Sequence, residues 1–293
     1  MSELISDFIP PVLFRIKREV WKRKPIPKPD FLEYSKKNVK FRQRHAGERV
    51  FILASGPSIG TQDLSSLKNE LCIAVSHFHL HDEIQIIKPQ YHILAPQHAP
   101  FTSEDIVRLF RDFKASYKAE RTQIFLGLNS YKYNYLNVLA QFPEYNDREY
   151  QYIDYSRTIH LTEDNVGLDE TWDICGHPFS MRTVIYGAIQ LAVYMGCREI
   201  VLLGCDHDYL YDLKRVTNHH FYAEEKGISD KEHLSQFNSE KWFYEYYMRW
   251  MQYRLMRDHL ATRGIAIINS TNGGMLDVFE RVPFEKMLKG NVE

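Results

Sequence analysis

Val50-Phe-Ile-Leu-Ala54 runs straight into Ser55-Gly-Pro-Ser58, and this junction decides how the chain is read. Five apolar, β-favouring residues without polar alternation make a strand buried on both faces, the pattern of a parallel sheet. Glycine and proline then break the strand, and the two serines stand beside a helix start. Working outward, the same pattern recurs. Leu71-Cys-Ile-Ala-Val75, Tyr91-His-Ile-Leu-Ala95 and Gln123-Ile-Phe-Leu-Gly127 read as the next three strands, with a helix predicted over Thr61 to Leu67. A strongly periodic helix from Met181 to Met195 leads through Gly196 into Glu199-Ile-Val-Leu-Leu-Gly204, which stops at Gly204-Cys-Asp206. A long aromatic helix from Ser239 to Thr262, closed by Gly264, precedes a last strand at Ile265-Ala-Ile-Ile268, which ends in Asn269-Ser-Thr-Asn-Gly-Gly274. Strands alternating with helices predict the α/β class: a Rossmann-like parallel sheet with helices on both faces and no internal repeat.

The composition excludes several function classes. With 44% apolar and 14% aromatic residues among 293, the chain folds rather than staying disordered. A formal net charge of −1 argues against a chain that is basic overall and grips nucleic acid through its phosphates. Cys72, Cys175, Cys197 and Cys205 form no CxxC pair and read as thiols in a reducing compartment. No apolar stretch reaches the roughly 18 residues that a membrane span needs, so a soluble, cytoplasmic protein is expected.

Charge is unevenly spread, and this sets the domain division. Arg15, Lys17, Arg18, Lys22, Arg23, Lys24 and Lys28 are opposed only by Glu19, while Ile5, Phe8, Ile9, Val12, Leu13, Ile16, Val20 and Trp21 recur at helical spacing. Residues 5–28 therefore read as a basic amphipathic helix. It suits an anionic membrane surface on the inner face of the cell membrane, or packing on the domain or on a second subunit. The prolines of Lys24-Pro-Ile-Pro-Lys-Pro29 impose an extended linker. Residues 1–48 are assigned to an arm and linker, and 49–293 to the catalytic domain.

Ligands of open α/β sheets bind beyond the carboxyl ends of the strands, and the chemistry-bearing residues fall there. Ser55, Gly56, Pro57 and Ser58 form a small-residue turn before a helix, suited to a phosphate or nucleotide, although neither GxGxxG nor a Walker loop is present. Taken alone it is equally a simple strand-to-helix turn. Ser76 and His77, Ala95 and Pro96, and Asn269, Ser270 and Asn272 follow other strands. Asp206-His207-Asp208 has the DxD form that holds a divalent metal and a diphosphate in many glycosyltransferases; Asp206 equally suits orienting a turn or a sugar hydroxyl. His219 and His220 stand in a polar loop where an imidazole can serve as a general base, or as an acid for a leaving phosphate. His77, His79 and His81 alternate but lack a carboxylate or cysteine partner, so no metal is assigned to them. The aromatic run from Trp242 to Tyr253 reads as core or as contact with a second copy, with one tyrosine face left for a sugar.

Ser55-Gly-Pro-Ser58 after the first strand, Gly196-Cys-Arg-Glu-Ile-Val-Leu-Leu-Gly-Cys-Asp206 after a long helix, and a late strand ending Asn269-Ser270 together resemble the bacterial sialyltransferases of the Campylobacter type. They equally resemble the related MptE-like domain of archaeal pterin diphosphokinases and motility accessory factors. The likeness spans roughly residues 45 to 280. The resemblance implies a glycosyltransferase with a nucleotide-activated donor, CMP-linked as in that family, and no metal requirement. It further implies that the Ser55–Ser58 loop and Thr183 hold the phosphate, that Asn269 to Asn272 hold the nucleotide, and that His220, or else His219, is the base. Sialyltransferases of this type carry asparagines after the second and third strands. Ser76-His77 and Ala95-Pro96 stand there instead, so CMP-sialic acid itself does not follow. The expected function is sugar transfer to a cell-surface glycan or lipid-linked acceptor. The alternatives are diphosphate transfer from ATP to a pterin or other small alcohol, and a non-catalytic nucleotide-binding protein.

Overall fold

Alternation within the apolar runs sends side chains to both faces of one sheet. In β1 (Arg49–Leu53), Val50 and Ile52 enter one core while Phe51 and Leu53 enter the other, all fully buried. The computed structural model describes residues 31–117, 121–212, 218–223 and 237–288. The basic helix expected over residues 5–28 lies outside them.

Seven further strands follow: β2 (Cys72–Val75), β3 (Tyr91–Leu94), β4 (Gln123–Leu128), β5 (Tyr150–Asp154), β6 (Glu199–Leu203), β7 (Ala266–Asn269) and β8 (Glu280–Arg281). They form one parallel sheet in the order β5-β4-β3-β2-β1-β6-β7-β8. The chain builds outward from β1 to β5, then returns to lay β6 along the free side of β1, with Arg49 opposite Glu199 and Leu53 opposite Leu203. The strand order reverses between β1 and β6, and there the strand ends leave a crevice.

Helices cover both faces, as the strand-helix alternation predicts. On one face α6 (Val184–Tyr194) lies across β1, β2 and β3. Ile185 through Tyr194 are all buried, because this helix is apolar on nearly every side. Beside it pack α5 (Asp169–Trp172) and α7 (Ser239–Thr262), the latter through Tyr253, Leu255, Met256 and Leu260. The other face is covered by α3 (Ser103–Ser116), α4 (Tyr135–Gln141) and α8 (Phe284–Leu288). Along α7, Trp242, Tyr246 and Tyr253 are buried, while Phe243, Tyr244 and Tyr247 are exposed.

Three expectations change. The helix read over Thr61–Leu67 is instead two 3-10 turns, Pro57–Thr61 and Ser65–Asn69. Gln62 between them is extended, and the Asp63 carboxylate takes the Ser65 N–H, offering the backbone an alternative to a helical bond. His77, His79 and His81 do not alternate along a strand, because Phe78–Leu80 is itself a 3-10 turn. The second part of the expected arm and linker belongs to the folded body. α1 (Leu32–Ser35) and the 3-10 turn Lys36–Phe41 lie along the edge strand β5. Phe31 N–H donates to Asp154, Asn38 donates to Tyr152 O at 2.7 Å, and Phe41 is fully buried in the core. The segment covers a strand edge that would otherwise present unpaired backbone groups.

Candidate active site

The ends of β1 and β6 are drawn tightly together. Ala54 N–H donates to Leu203 O and Gly56 N–H to Gly204 O, both at 2.9 Å. A Cβ on Gly56 would stand 2.0 Å from Asp206 Oδ2, so only glycine lets these two strand ends close. Asp206 is buried, and its carboxylate accepts from the Ser58 hydroxyl at 2.8 Å. Burial pushes its pKa above the ordinary carboxylate range and Asp208 adds to this, while hydrogen bonding from Ser58 opposes it. On its other side Asp206 O accepts the Met275 N–H at 2.7 Å. Asp206 thus ties the turns after β1, β6 and β7 into one knot.

Part of the turn expected to hold a phosphate is engaged within the chain, although Ser55 and Gly56 line the adjoining cleft. The Gly56 N–H is spent on Gly204, Pro57 has none, and the Ser58 hydroxyl is held by Asp206. The Asp206 carboxylate lies against this turn, 2.8 Å from the Ser58 hydroxyl.

Beyond this knot a cleft of about 840 Å³ opens over the carboxyl ends of the strands. Ser55, Gly56, Ser76, His77, Thr183, Asp206, His207, Asp208, His219 and His220 all line it. Pro57, Ser58, Asn269, Ser270 and Asn272 do not. Asn269 is buried with its amide donating to Leu276 O and its carbonyl accepting from Thr271 N–H, so it shapes the turn after β7. Ser270 is buried, and Asn272 is exposed and bonds Thr61. The cleft extends from β6 towards β4, while β7 lies on the far side of β6.

Backbone strain marks the cleft. Ser76 (φ 50°) after β2 and His207 (φ 48°) after β6 are non-glycine residues in the left-handed region, an arrangement costing about 1–3 kcal/mol each. Each is held from outside. Ser76 O accepts from His92 Nε2 at 2.8 Å, and His207 O accepts from the Tyr246 hydroxyl at 3.1 Å. His207 Nε2 also meets the Tyr253 hydroxyl at 2.8 Å; burial, with Arg249 nearby, lowers its pKa to about 3.

The adjacent histidines diverge. His219 is buried with Nδ1 3.2 Å from Asp208 Oδ1 and Nε2 3.2 Å from Asp212 Oδ2, which leaves neither nitrogen to take a proton from a substrate. His220 instead reaches back over the end of β1. Its Nδ1 is 3.3 Å from both Ser55 Oγ and Ser55 O, and its ring stacks on Tyr222 at 4.9 Å and 2°. The Phe221 N–H donates to Ser55 O at 3.1 Å, and Tyr222 in turn packs edge-on against His77. Asp206 and Asp208 point to different partners, Ser58 and His219. Among the described residues no group of three or more His, Cys, Asp or Glu is arranged to hold a metal ion.

On the opposite wall the sequence pointed to Thr183 but not to the cations beside it. Thr183 caps α6, its hydroxyl accepting from Ile185 N–H. Arg182 pairs with Glu245 at 2.6 Å and lies 5.7 Å from the Tyr244 ring centroid. Arg249 and Lys241 line the same wall, while Gln97, Asn129 and Tyr135 line the cleft from the β3 and β4 side. A signal for Arg249 did exist: it falls at helical spacing among Trp242, Tyr246 and Tyr253, on the buried stripe of α7.

Fold and crevice together define a doubly wound α/β protein with a strained, histidine-bearing cleft at its switch point. No family model and no curated protein sequence matches the chain. Among solved structures it is similar to the sialyltransferase CstII from Campylobacter jejuni in complex with a substrate analogue, cytidine-5'-monophosphate, at 14% identity and a TM-score of 0.44, covering 81% of this chain and 85% of that one. A second structure, the sialyltransferase CST-II in complex with trisaccharide acceptor and CMP, aligns at 15% identity and a TM-score of 0.43, covering 80% and 86%. Among the described residues no helix is long and apolar enough to cross a membrane.

Proposed function

We propose that the chain is a glycosyltransferase that moves a sugar from a nucleotide-activated donor, CMP-linked, to a hydroxyl of a cell-surface glycan or lipid-linked acceptor. The observation that carries this reading is the place of His220: an imidazole set against Ser55 at the mouth of the β1–β6 crevice, where α/β sheets bind nucleotides. In the proposed reaction His220 takes the proton of the acceptor hydroxyl as that oxygen bonds to the anomeric carbon. The bond from the anomeric carbon to the donor phosphate breaks with its electron pair, and the nucleotide leaves as the phosphate anion. Imidazole suits this step because its ordinary pKa lies near neutrality. The stacked Tyr222 and the neighbouring Phe221 fix the ring and shield it from water, which protects a hydrolysable donor. Asp206 holds the two strand ends in register and is a positioning residue. In this reading Asp206 is engaged by Ser58 and Asp208 by His219, and no step is routed through a divalent metal. The basic residues of 5–28 supply, in this reading, attachment to an anionic membrane surface near lipid-linked acceptors.

Thermal unfolding of the full chain with CMP, UDP, GDP and ATP, each with and without magnesium, tests the assignment. Stabilisation by CMP or another sugar-carrying nucleotide without metal is expected. Stabilisation by ATP only with magnesium would support diphosphate transfer instead, and no shift with any nucleotide would leave a protein that does not use one.

A further inference from the structure

With the turn after β1 closed by Asp206, an anionic substrate needs its counter-charge elsewhere, and the opposite wall of the cleft carries it. Three cations stand there: Arg182, Lys241 and Arg249. Arg182 is neutralised by Glu245 at 2.6 Å. Lys241 is exposed and rests on the Phe237 ring at 3.8 Å. Arg249 differs from both. Its Nε and Nη1 are shut off from solvent without a hydrogen-bond partner, and no carboxylate pairs with it among the described residues. The guanidinium lies over the face of Tyr246, 5.4 Å away, and near the buried His207 ring. A guanidinium carries five donors and stays charged at every physiological pH, so a half-buried one with idle donors is an unfavourable arrangement until an anion arrives. The amino end of α6, eleven residues long, stands on the same wall at Thr183 and adds positive potential.

We infer that Arg249 is the anion-binding residue of this cleft and pairs with an oxyanion of the bound substrate, on the α6–α7 wall rather than at the turn after β1. A guanidinium meets a phosphate or a carboxylate through charge-assisted hydrogen bonds, here from the end of the group that lines the cleft, since Nε and Nη1 are closed to solvent; the ligand class is an oxyanion of either kind. Two sources offer it: the phosphate of the nucleotide, or an acidic group on the transferred or accepting sugar. The inference rests on the proposed sugar-transfer reading only for the choice among these sources. The charge balance of the wall stands without it.

The test compares the full-length wild type with Arg249→Gln and Arg249→Lys by calorimetry. The probes are inorganic phosphate, CMP against cytidine, and glucuronate against glucose, all at matched ionic strength. The wild type is expected to bind at least one member of each anionic kind it uses roughly tenfold or more tightly than the neutral counterpart. Arg249→Gln should erase that preference and Arg249→Lys restore part of it. Loss confined to CMP and inorganic phosphate identifies the nucleotide phosphate as the partner; loss confined to glucuronate identifies an acidic sugar. If no nucleotide binds but inorganic phosphate or glucuronate still depends on Arg249, the anion site stands and the sugar-transfer reading fails. Should Arg249→Gln not fold, phenylglyoxal labelling of the wild type, read by mass spectrometry, gives the same answer. Phosphate or glucuronate should protect Arg249 and leave exposed Arg254 labelled. Equal binding of every probe by wild type and Arg249→Gln, or labelling of Arg249 undiminished by both anions, overturns the inference.

Discussion

Lowering the pH from 7 to 5 should cost this protein about 5–6 kcal/mol of stability through three buried histidines. His79, His92 and His207 are nearly inaccessible, and burial, the leading cause in each, lowers their pKa values to about 2, about 3 and about 3. For His79 the neighbouring His92 and His77 add to the effect. The folded state therefore keeps these rings neutral throughout the range in which the unfolded chain, titrating near 6.5, takes up protons. Because the folded pKa is the lower one, the unfolded state binds more protons below 6.5, and stability falls as pH falls. At pH 5 the unfolded state gains about 2 kcal/mol per histidine, or about 5–6 kcal/mol for the three relative to pH 7, whatever the folded pKa values are below about 4. A domain of this kind has about 5–15 kcal/mol in all. Lowered values at His81 and His259 act in the same direction. Urea unfolding at pH 7, 6 and 5 measures the slope. His79 also isolates one third of it. Neither ring nitrogen makes a hydrogen bond of normal geometry, and the ring packs on Phe113 at 4.6 Å, so His79→Leu should leave pH 7 stability nearly unchanged and flatten the pH dependence by about 2 kcal/mol at pH 5. A urea midpoint that is the same at pH 7 and pH 5 would mean that these rings take up protons in the folded state as readily as in the unfolded one.

Gly56→Ala should lower stability by about 1–3 kcal/mol in urea unfolding, since the new Cβ meets Asp206 Oδ2 at 2.0 Å; Asp206→Ala in the same chain should recover part of the loss. Ser58→Ala should cost about 1–3 kcal/mol by leaving the buried Asp206 carboxylate short of a donor, and stability should then improve, relative to wild type, below the pKa of that carboxyl. Deleting residues 1–28 should abolish co-sedimentation with anionic vesicles at low salt while leaving circular dichroism unchanged; full-length protein that ignores such vesicles would remove the membrane role.

The strands that define the fold were legible because burial on both faces strips them of polar residues: β1 and β6 read directly as Val50-Phe-Ile-Leu and Ile200-Val-Leu-Leu. β5 gave no such signal. Tyr150-Gln-Tyr-Ile-Asp154 alternates polar and aromatic residues because it is an edge, covered by residues 31–41 rather than by a neighbouring strand. β8 is two residues long and has no periodicity to read. α3 had a readable start in its Thr102–Asp105 capping box, with Ile106, Leu109, Phe110 and Phe113 on its inner face. In the site, strand ends could be located but their neighbours could not. Asn269 looks like Ser55 in sequence, a polar residue after an apolar run, yet the cleft lies over the ends of β1 to β4 and β6 and leaves Asn269 out. The same limit hid the Asp206–Ser58 contact, 148 residues apart, which turns an anion-binding motif into a closed knot.

Sugar transfer by this chain depends on His220. A panel of nucleotide sugars, CMP-linked ones first, should be incubated with the full chain and a glycan acceptor, and release of free nucleotide followed for wild type and His220→Ala. One donor should be turned over, and His220→Ala should slow that turnover by about a hundredfold or more with donor affinity nearly unchanged, the mark of a lost general base. His219→Ala should not reproduce this kinetic pattern, because its nitrogens are held by Asp208 and Asp212. Undiminished turnover in His220→Ala, or a loss confined to donor affinity, would contradict the assignment.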